Sequence, residues 1–409
     1  MKGSPLNLKI TDLTNDRVYL GLNAALSMIF SLVLLKIALS VLGLDGRGKL
    51  LIVMTYSSLV CNIIRFGLNQ GSLSAFRLAR DDAKRSNKIL RSFVALTVWQ
   101  SFGTGLVVLV ITNMFMYDWV IELSASSFAL SFYCGSFLFS SAFVFYASMV
   151  SPGRFSFEYT IIYYSVLFFS LYLIDLFFAV SVEYMIFAMS GSMWLGIAFI
   201  FVRVKIPIAF VAGRKEALML LRNGGKLVVW QNFKDLMYKI DILLLPAVLS
   251  AQNFGLYSVI QTLSQSIWRI TDPLLGIYQR EMTLGKGGQV RVSWVLCLLS
   301  FTSIVIYGSV SIWAVSIFVD DSLGDLGLLI FLLGAMNLMF AYWKFKVVEF
   351  VVFGKNLFMY ATISMFLIIY IGCYSFVSSI SEALILSICA YGLMVVAALL
   401  LPRKGSSVV

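Results

Sequence analysis

Apolar runs about twenty residues long recur along this chain, and no other feature restricts its fold as much. A run of that length crosses the hydrocarbon core of a bilayer, roughly 30 Å, as one helix rising about 1.5 Å per residue. The runs lie near residues 18–44, 50–68, 92–116, 123–150, 157–180, 184–202, 226–250, 255–279, 292–318, 326–343, 357–376 and 383–401. The tenth can extend to Phe353 and take in Lys344, Lys346 and Glu349. The pattern predicts an all-α polytopic membrane protein of about twelve transmembrane helices. Composition agrees. The chain is 60% hydrophobic and 12% charged, where soluble domains carry about 25% charged residues. No hydrophilic block is large enough for a separate soluble domain, and residues 1–17 are polar for too long to read as a cleavable signal peptide.

The basic residues are distributed unevenly between alternate loops. With the N-terminus inside, the inside segments hold 24 of the 31 lysines and arginines, counted from Lys2 to Lys404. The outside loops hold Arg47 and Lys49, together with acids such as Asp118, Glu122, Glu183, Asp320, Asp321, Asp325 and Glu382. The positive-inside rule then places both termini in the cytoplasm. The same bias accounts for the net charge of +11 without invoking nucleic acid. Histidine is absent, which removes histidine proton relays, metal sites and general bases. Five cysteines, Cys61, Cys134, Cys297, Cys373 and Cys389, fall inside apolar runs without a C-x-x-C, so no disulfide framework or zinc site is expected. Trp99, Trp119, Trp194, Trp230, Trp294, Trp313 and Trp343 lie near run ends, as expected of an interfacial belt.

Two inside loops are long. Residues 69–91 are basic and partly amphipathic; residues 203–226 contain RKEALMLLRNGGK, a short surface helix expected to stop at Asn223-Gly224-Gly225. Both suit anchoring to anionic lipid heads, with substrate recruitment as the alternative. The second loop divides the chain into an N-terminal six-helix lobe (1–202), a linker with a short interfacial helix (203–225) and a C-terminal six-helix lobe (226–409). Two halves of like orientation imply a parallel repeat about an axis along the membrane normal.

Residues 226–282 read as two spans joined by a short turn, and both carry charge: Lys234, Asp235, Lys239 and Asp241, then Arg269 and Asp272. Ionisable groups at bilayer depth face a wet cavity or a partner. Asp235 and Lys239 are four apart and can pair on one helix face. Lys234 and Asp241 are seven apart on a shared face, and each needs a partner from elsewhere. Arg269 and Asp272 can neutralise each other, and Pro273 then makes a candidate hinge. Trp268, beside Arg269, can stack on a sugar or pack against a helix neighbour. Lys36 lies about eight residues, roughly 12 Å, inside the outer end of the first run, beyond full snorkelling reach. Arg65 lies near the inner end of the second run, where it can snorkel or meet a lipid phosphate. Asp175 sits near the outer end of the fifth run.

The segment Asp241–Ile260, D-I-L-L-L-P-x-x-L-S-x-x-x-F-G-L-Y-S-V-I, looks like the D-x-(apolar run)-x-G-x-Y-S-x-A segment of polysaccharide flippases. V-L-G-L-D-G-R-G-K-L at 41–50, F-G-L at 66–68 and the following arginine-bearing loop look like its first-half counterpart. The chain thus resembles the Wzx-type O-antigen flippases of the multidrug/oligosaccharidyl-lipid/polysaccharide exporter superfamily, through its whole length. It departs at Ile260 and Gln261, where small residues are commoner. The resemblance implies a V-shaped exporter-like fold in a bacterial inner membrane. It implies translocation of an undecaprenyl-diphosphate-linked oligosaccharide, with polysaccharide polymerase or assembly proteins as partners. Relatives that flip the peptidoglycan lipid precursor carry cations in spans one, two and eight. By span, these correspond here to Lys36, Arg65 and Arg269.

Lys36, Arg65, Lys234 and Arg269 are therefore the candidate substrate-binding cations. Asp235, Asp241 and Asp272 are candidate counter-ions or proton or sodium sites; no other cofactor is expected. The rival readings are a cation exporter of the same superfamily and a membrane glycan polymerase or ligase. The first needs unpaired acids, scarce in the first half; the second needs a large outer catalytic loop, which is lacking.

Overall fold

The computed structural model describes residues 11–78, 82–115, 125–150, 154–204, 206, 209–237, 239–265, 327–328, 330–335, 337, 340, 343–344 and 356–400. Among them the regular structure is helical. The chain divides into two compact units, Met1–Leu236 and Met237–Val409. Six helices of the described residues are long and apolar enough to cross a membrane.

In the first unit, α1 (Thr11–Arg65) holds the first two apolar runs. Its two arms meet at Gly43, whose φ of 68° and ψ of −175° leave the helical region. A residue with a Cβ adopts that φ only at a cost, so glycine makes the join in one residue. The expected polar outer loop is thereby replaced by helix. Lys49 pairs with Asp45 at 2.9 Å across one turn, while Arg47, expected in the loop, is 6% exposed and buried in the bundle.

Then come α2 (Leu68–Leu78), α3 (Ala83–Phe115), α4 (Ser127–Val150), α5 (Arg154–Phe177), α6 (Val182–Val204) and α7 (Arg214–Met237). Helix α4 is central, packing on α3, α6 and α1. Lipid tails are as apolar as leucine, so close packing and hydrogen bonds, rather than the hydrophobic effect, must hold such helices together. Small residues supply that fit. A Cβ on Gly135 would lie 3.2 Å from the Ser101 carbonyl, and Ser131 Oγ donates to the Gly105 carbonyl at 2.7 Å. At the other end of α4, Phe139 and Phe143 interlock with Phe201 and Phe93. The outward residues of α3 (Trp99, Phe102, Leu106, Val110, Met114) are exposed and apolar, a face whose solvent is hydrocarbon.

Helix α7 differs from expectation. It does not stop at Asn223-Gly224-Gly225 but runs through it. The glycines are there for contact: a Cβ on Gly224 would overlap the Gly67 carbonyl, and one on Gly71 would overlap the carbonyl of Leu220. So α2 and α7 cross backbone to backbone.

The second unit contains α8 (Ile240–Leu244), a 3-10 turn (Leu245–Ala247), α9 (Ala251–Gln265), α10 (Asn356–Cys373), a second 3-10 turn (Tyr374–Phe376) and α11 (Ile380–Leu400). Residues 226–250 are thus not one helix: α7 ends at Met237, Lys239 caps α8 with φ −126°, and Pro246 sits in the 3-10 turn. An aromatic row fills the interior: Trp343 on Phe340 (5.3 Å between ring centroids), Phe340 on Tyr391 (5.0 Å), Tyr391 on Phe366 (5.2 Å) and Phe366 on Tyr370 (5.8 Å). Trp343, expected at an interface, is fully buried there. Lys344, expected in a basic inside loop, is buried beside it, with Nζ 5.8 Å from the Phe340 ring centroid.

Candidate functional site

Each unit carries its own constellation. In the first, exposed residues of the arm of α1 that precedes Gly43 recur at helical spacing: Val18, Leu22, Ala25, Ile29, Val33, Lys36 and Ser40. Such a stripe faces out of the unit along its length. Lys36 is its one charge and has no partner among the described residues. Hydrocarbon does not tolerate an ammonium at that depth without a cost of about 2.5 kcal/mol or more. The stripe around Lys36 therefore calls for water or an anion.

Arg65 closes the other arm. Its guanidinium donates to Ser141 Oγ on α4, and its carbonyl accepts from Gln100 Nε2 on α3 at 3.4 Å. The chain then turns through Phe66 (φ 50°) and Gly67 (φ 66°). A bulky residue in the left-handed region is strained, and here it is set beside the crossing of α2 and α7, with the Phe66 ring facing Gly225. Arg65 is half-buried and held in the bundle rather than extended to the surface as a snorkelling side chain would be.

In the second unit the centre is Asp241, 2% exposed. Its Oδ2 accepts from Tyr257 Oη at 2.8 Å and from Gln261 Nε2 at 2.5 Å; its Oδ1 accepts from the Ile242 N–H at 2.8 Å. Tyr257 Oη also meets Ser387 Oγ at 3.1 Å, and Ser387 meets Tyr370 Oη at 3.3 Å. The network joins α8, α9, α10 and α11 through neutral groups. Among the described residues the carboxylate forms no ion pair. A buried carboxylate with hydrogen bonds but no cation remains costly, and either a proton or a bound cation relieves it.

Several sequence expectations meet this geometry differently. Asp235 and Lys239 are separated by the end of α7, so the four-residue helix pairing has no continuous helix to act through. The same break removes the shared face proposed for Lys234 and Asp241. Lys234 and Asp235 lie in α7 with side chains outside the described part; Arg269, Asp272, Pro273 and Trp268 lie outside the described residues. Gln261, one of the two departures from the flippase pattern, is a direct donor to Asp241. Tyr257 and Gln261, four apart on α9, were the available signal: two polar side chains on one face of an apolar span. Ser387 and Tyr370 gave no comparable local signal. Among the described residues no group of three or more acids or cysteines could hold a metal ion.

No family model matches the chain, and no curated protein does. Solved structures match over nearly its full length. It is similar to a multidrug resistance MATE family transporter of the MOP superfamily in its outward-facing conformation (TM-score 0.71, 12% identity, 96% of this chain and 94% of that one). An inward-facing multidrug resistance MATE family transporter of the MOP superfamily scores 0.66 at 13% identity, covering 90% of this chain and 92% of that one. A MOP superfamily transporter from Pyrococcus furiosus, described as having a binding pocket of reverse polarity that suggests a different function, scores 0.70 at 11% identity, covering 97% and 95%. Identities this low speak to fold alone. The chain is a polytopic, all-α membrane protein with the fold of MATE-type transporters.

Proposed function

We propose that this protein is a flippase that carries an undecaprenyl-diphosphate-linked oligosaccharide across a bacterial inner membrane by alternating access, with both termini in the cytoplasm. The observation that carries the reading is Lys36: a lysine deep in an apolar run, exposed, without a partner among the described residues. The physical task is to lodge a diphosphate of about two negative charges and many hydroxyls where hydrocarbon cannot solvate them. A fixed cation on a wet helix face replaces part of the lost hydration through charge-assisted hydrogen bonds. Lys36 and Arg65 would meet the phosphates, together with Lys234 and Arg269. The lipid tail stays in the bilayer. The inside-negative potential assists export of any uncompensated charge by about 2.3 kcal/mol per charge per 100 mV. The reverse pocket polarity described for the Pyrococcus furiosus neighbour supports the premise that this fold accommodates cargo of different charge.

Asp241 favours a second reading, a cation exporter, because a buried acid without an ion pair among the described residues also suits a cationic cargo. In the flippase reading it takes a proton or sodium ion, and Asp235 and Asp272 serve as counter-ions.

Deletion of the gene tests the two together. Accumulated lipid-linked repeat units with loss of surface glycan support the flippase. Unchanged glycan with new sensitivity to cationic drugs supports the exporter and refutes the flippase. Polymeric glycan made by the purified protein would contradict both and revive an enzyme.

A further inference from the structure

Helix α3 has 33 residues, about 50 Å at 1.5 Å per residue, against a hydrocarbon core of roughly 30 Å. Its lipid-facing apolar residues begin at Trp99, and its first turns hold exposed Lys84, Arg85, Lys88 and Arg91 instead. Those turns therefore rise to the headgroup level. The segment entering α7 is tied to the same place by two bonds. Gly213 N–H donates to Ser92 Oγ at 3.0 Å, and Trp99 Nε1 donates to the Phe210 carbonyl at 2.9 Å.

These two bonds bring Arg214 and Lys215 to the end of α3, although more than 100 residues separate Ser92 from Gly213. The same bonds set Phe210 (62% exposed) and Val211 (83% exposed) beside Trp99 (63% exposed). The result is an apolar ledge of three side chains under six exposed cations. Two acids of the described residues are near: Asp82, whose Oδ1 accepts from the Arg85 N–H at 2.9 Å, and Glu216, folded over Gly213. Among the described residues, six cations less two acids leave a charge of +4. None of the six is ion-paired among the described residues.

We infer that this composite surface, built by α3 and the entry to α7, binds anionic phospholipid. The cations meet headgroup phosphates, while Trp99, Phe210 and Val211 seat against the upper acyl chains, the division of labour expected at a bilayer interface. The two long inside loops, each suited to lipid anchoring by its own sequence, are joined by these bonds into one surface. The inference is independent of what the protein transports.

The test uses the purified full-length chain. Retained phosphatidylglycerol and phosphatidylcholine are counted by native mass spectrometry in the wild type and in a triple variant, Lys88→Gln/Arg91→Gln/Arg214→Gln. Wild type retains phosphatidylglycerol preferentially. The triple variant binds it about a hundredfold more weakly, at roughly fivefold per cation removed. Rising salt strips the lipid from the unmodified chain, so the outcome does not depend on the variant folding. Equal retention of the two lipids, salt-insensitive retention, or undiminished binding by the variant overturns the inference. So does displacement by free glycerol phosphate at matching concentration, which would mark a soluble phosphate site.

Discussion

At the scale of the residue, two side chains carry the functional argument, and each makes a distinct prediction. Lys36→Gln should reduce transport about tenfold or more, the worth of a charged hydrogen bond, while Lys36→Arg retains it and both variants insert normally. A flipping assay on membranes with matched protein levels checks this. Asp241 is bound by neutral donors on three sides. Tyr257→Phe removes one donor from a buried carboxylate and should cost about 1–3 kcal/mol of stability. Asp241→Ala removes an acceptor from both Tyr257 and Gln261 and should cost more. Thermal unfolding in detergent ranks the two, and the opposite ranking would remove Asp241 from the centre of the network. Lys36 and Asp241 were legible as charges in apolar runs, because such charges are conspicuous. The network around Asp241 was legible only in part: Tyr257 and Gln261 share one face of an apolar span, but Ser387, which meets Tyr257 Oη at 3.1 Å, is an ordinary residue of a membrane helix until the fold brings α9 and α11 together.

At the scale of the element, the glycines separate two uses of one residue type. Gly224 and Gly67 touch backbone to backbone, whereas a Cβ on Gly103 or Gly191 meets nothing within 4 Å. Gly224→Ala should therefore destabilise by about 1–3 kcal/mol through overlap. Gly103→Ala should be neutral or stabilise by up to about 1 kcal/mol through helix propensity. Paired melting curves decide it, and a harmless Gly224→Ala would mean α2 and α7 are not in contact. The apolar runs were readable because hydrophobic length is a local property. The single-residue join at Gly43, the continuation of α7 through Gly224-Gly225 and its break after Met237 were not. Glycine is a stop signal in water, but in a packed bundle the same residue lets two helices approach, and sequence alone does not say which role it plays.

At the scale of the molecule, the twelve-run pattern and its charge asymmetry led to a polytopic transporter-like fold. Solved structures bear the fold out over 96% of the chain at 12% identity. Fluorescent-protein fusions at both ends should fluoresce, as proteins folded on the cytoplasmic side do; a dark C-terminal fusion would break the assigned orientation. Cargo is less legible than fold, because pocket polarity depends on which of a few charges face water. The central claim is that the α1 stripe bearing Lys36 is wet and receives a diphosphate. Lys36→Cys, in a chain whose five native cysteines are replaced, should react with a membrane-impermeant methanethiosulfonate and be protected by the lipid-linked diphosphate oligosaccharide. A cysteine there that reacts only with lipid-soluble maleimide, with or without that substrate, would contradict the account.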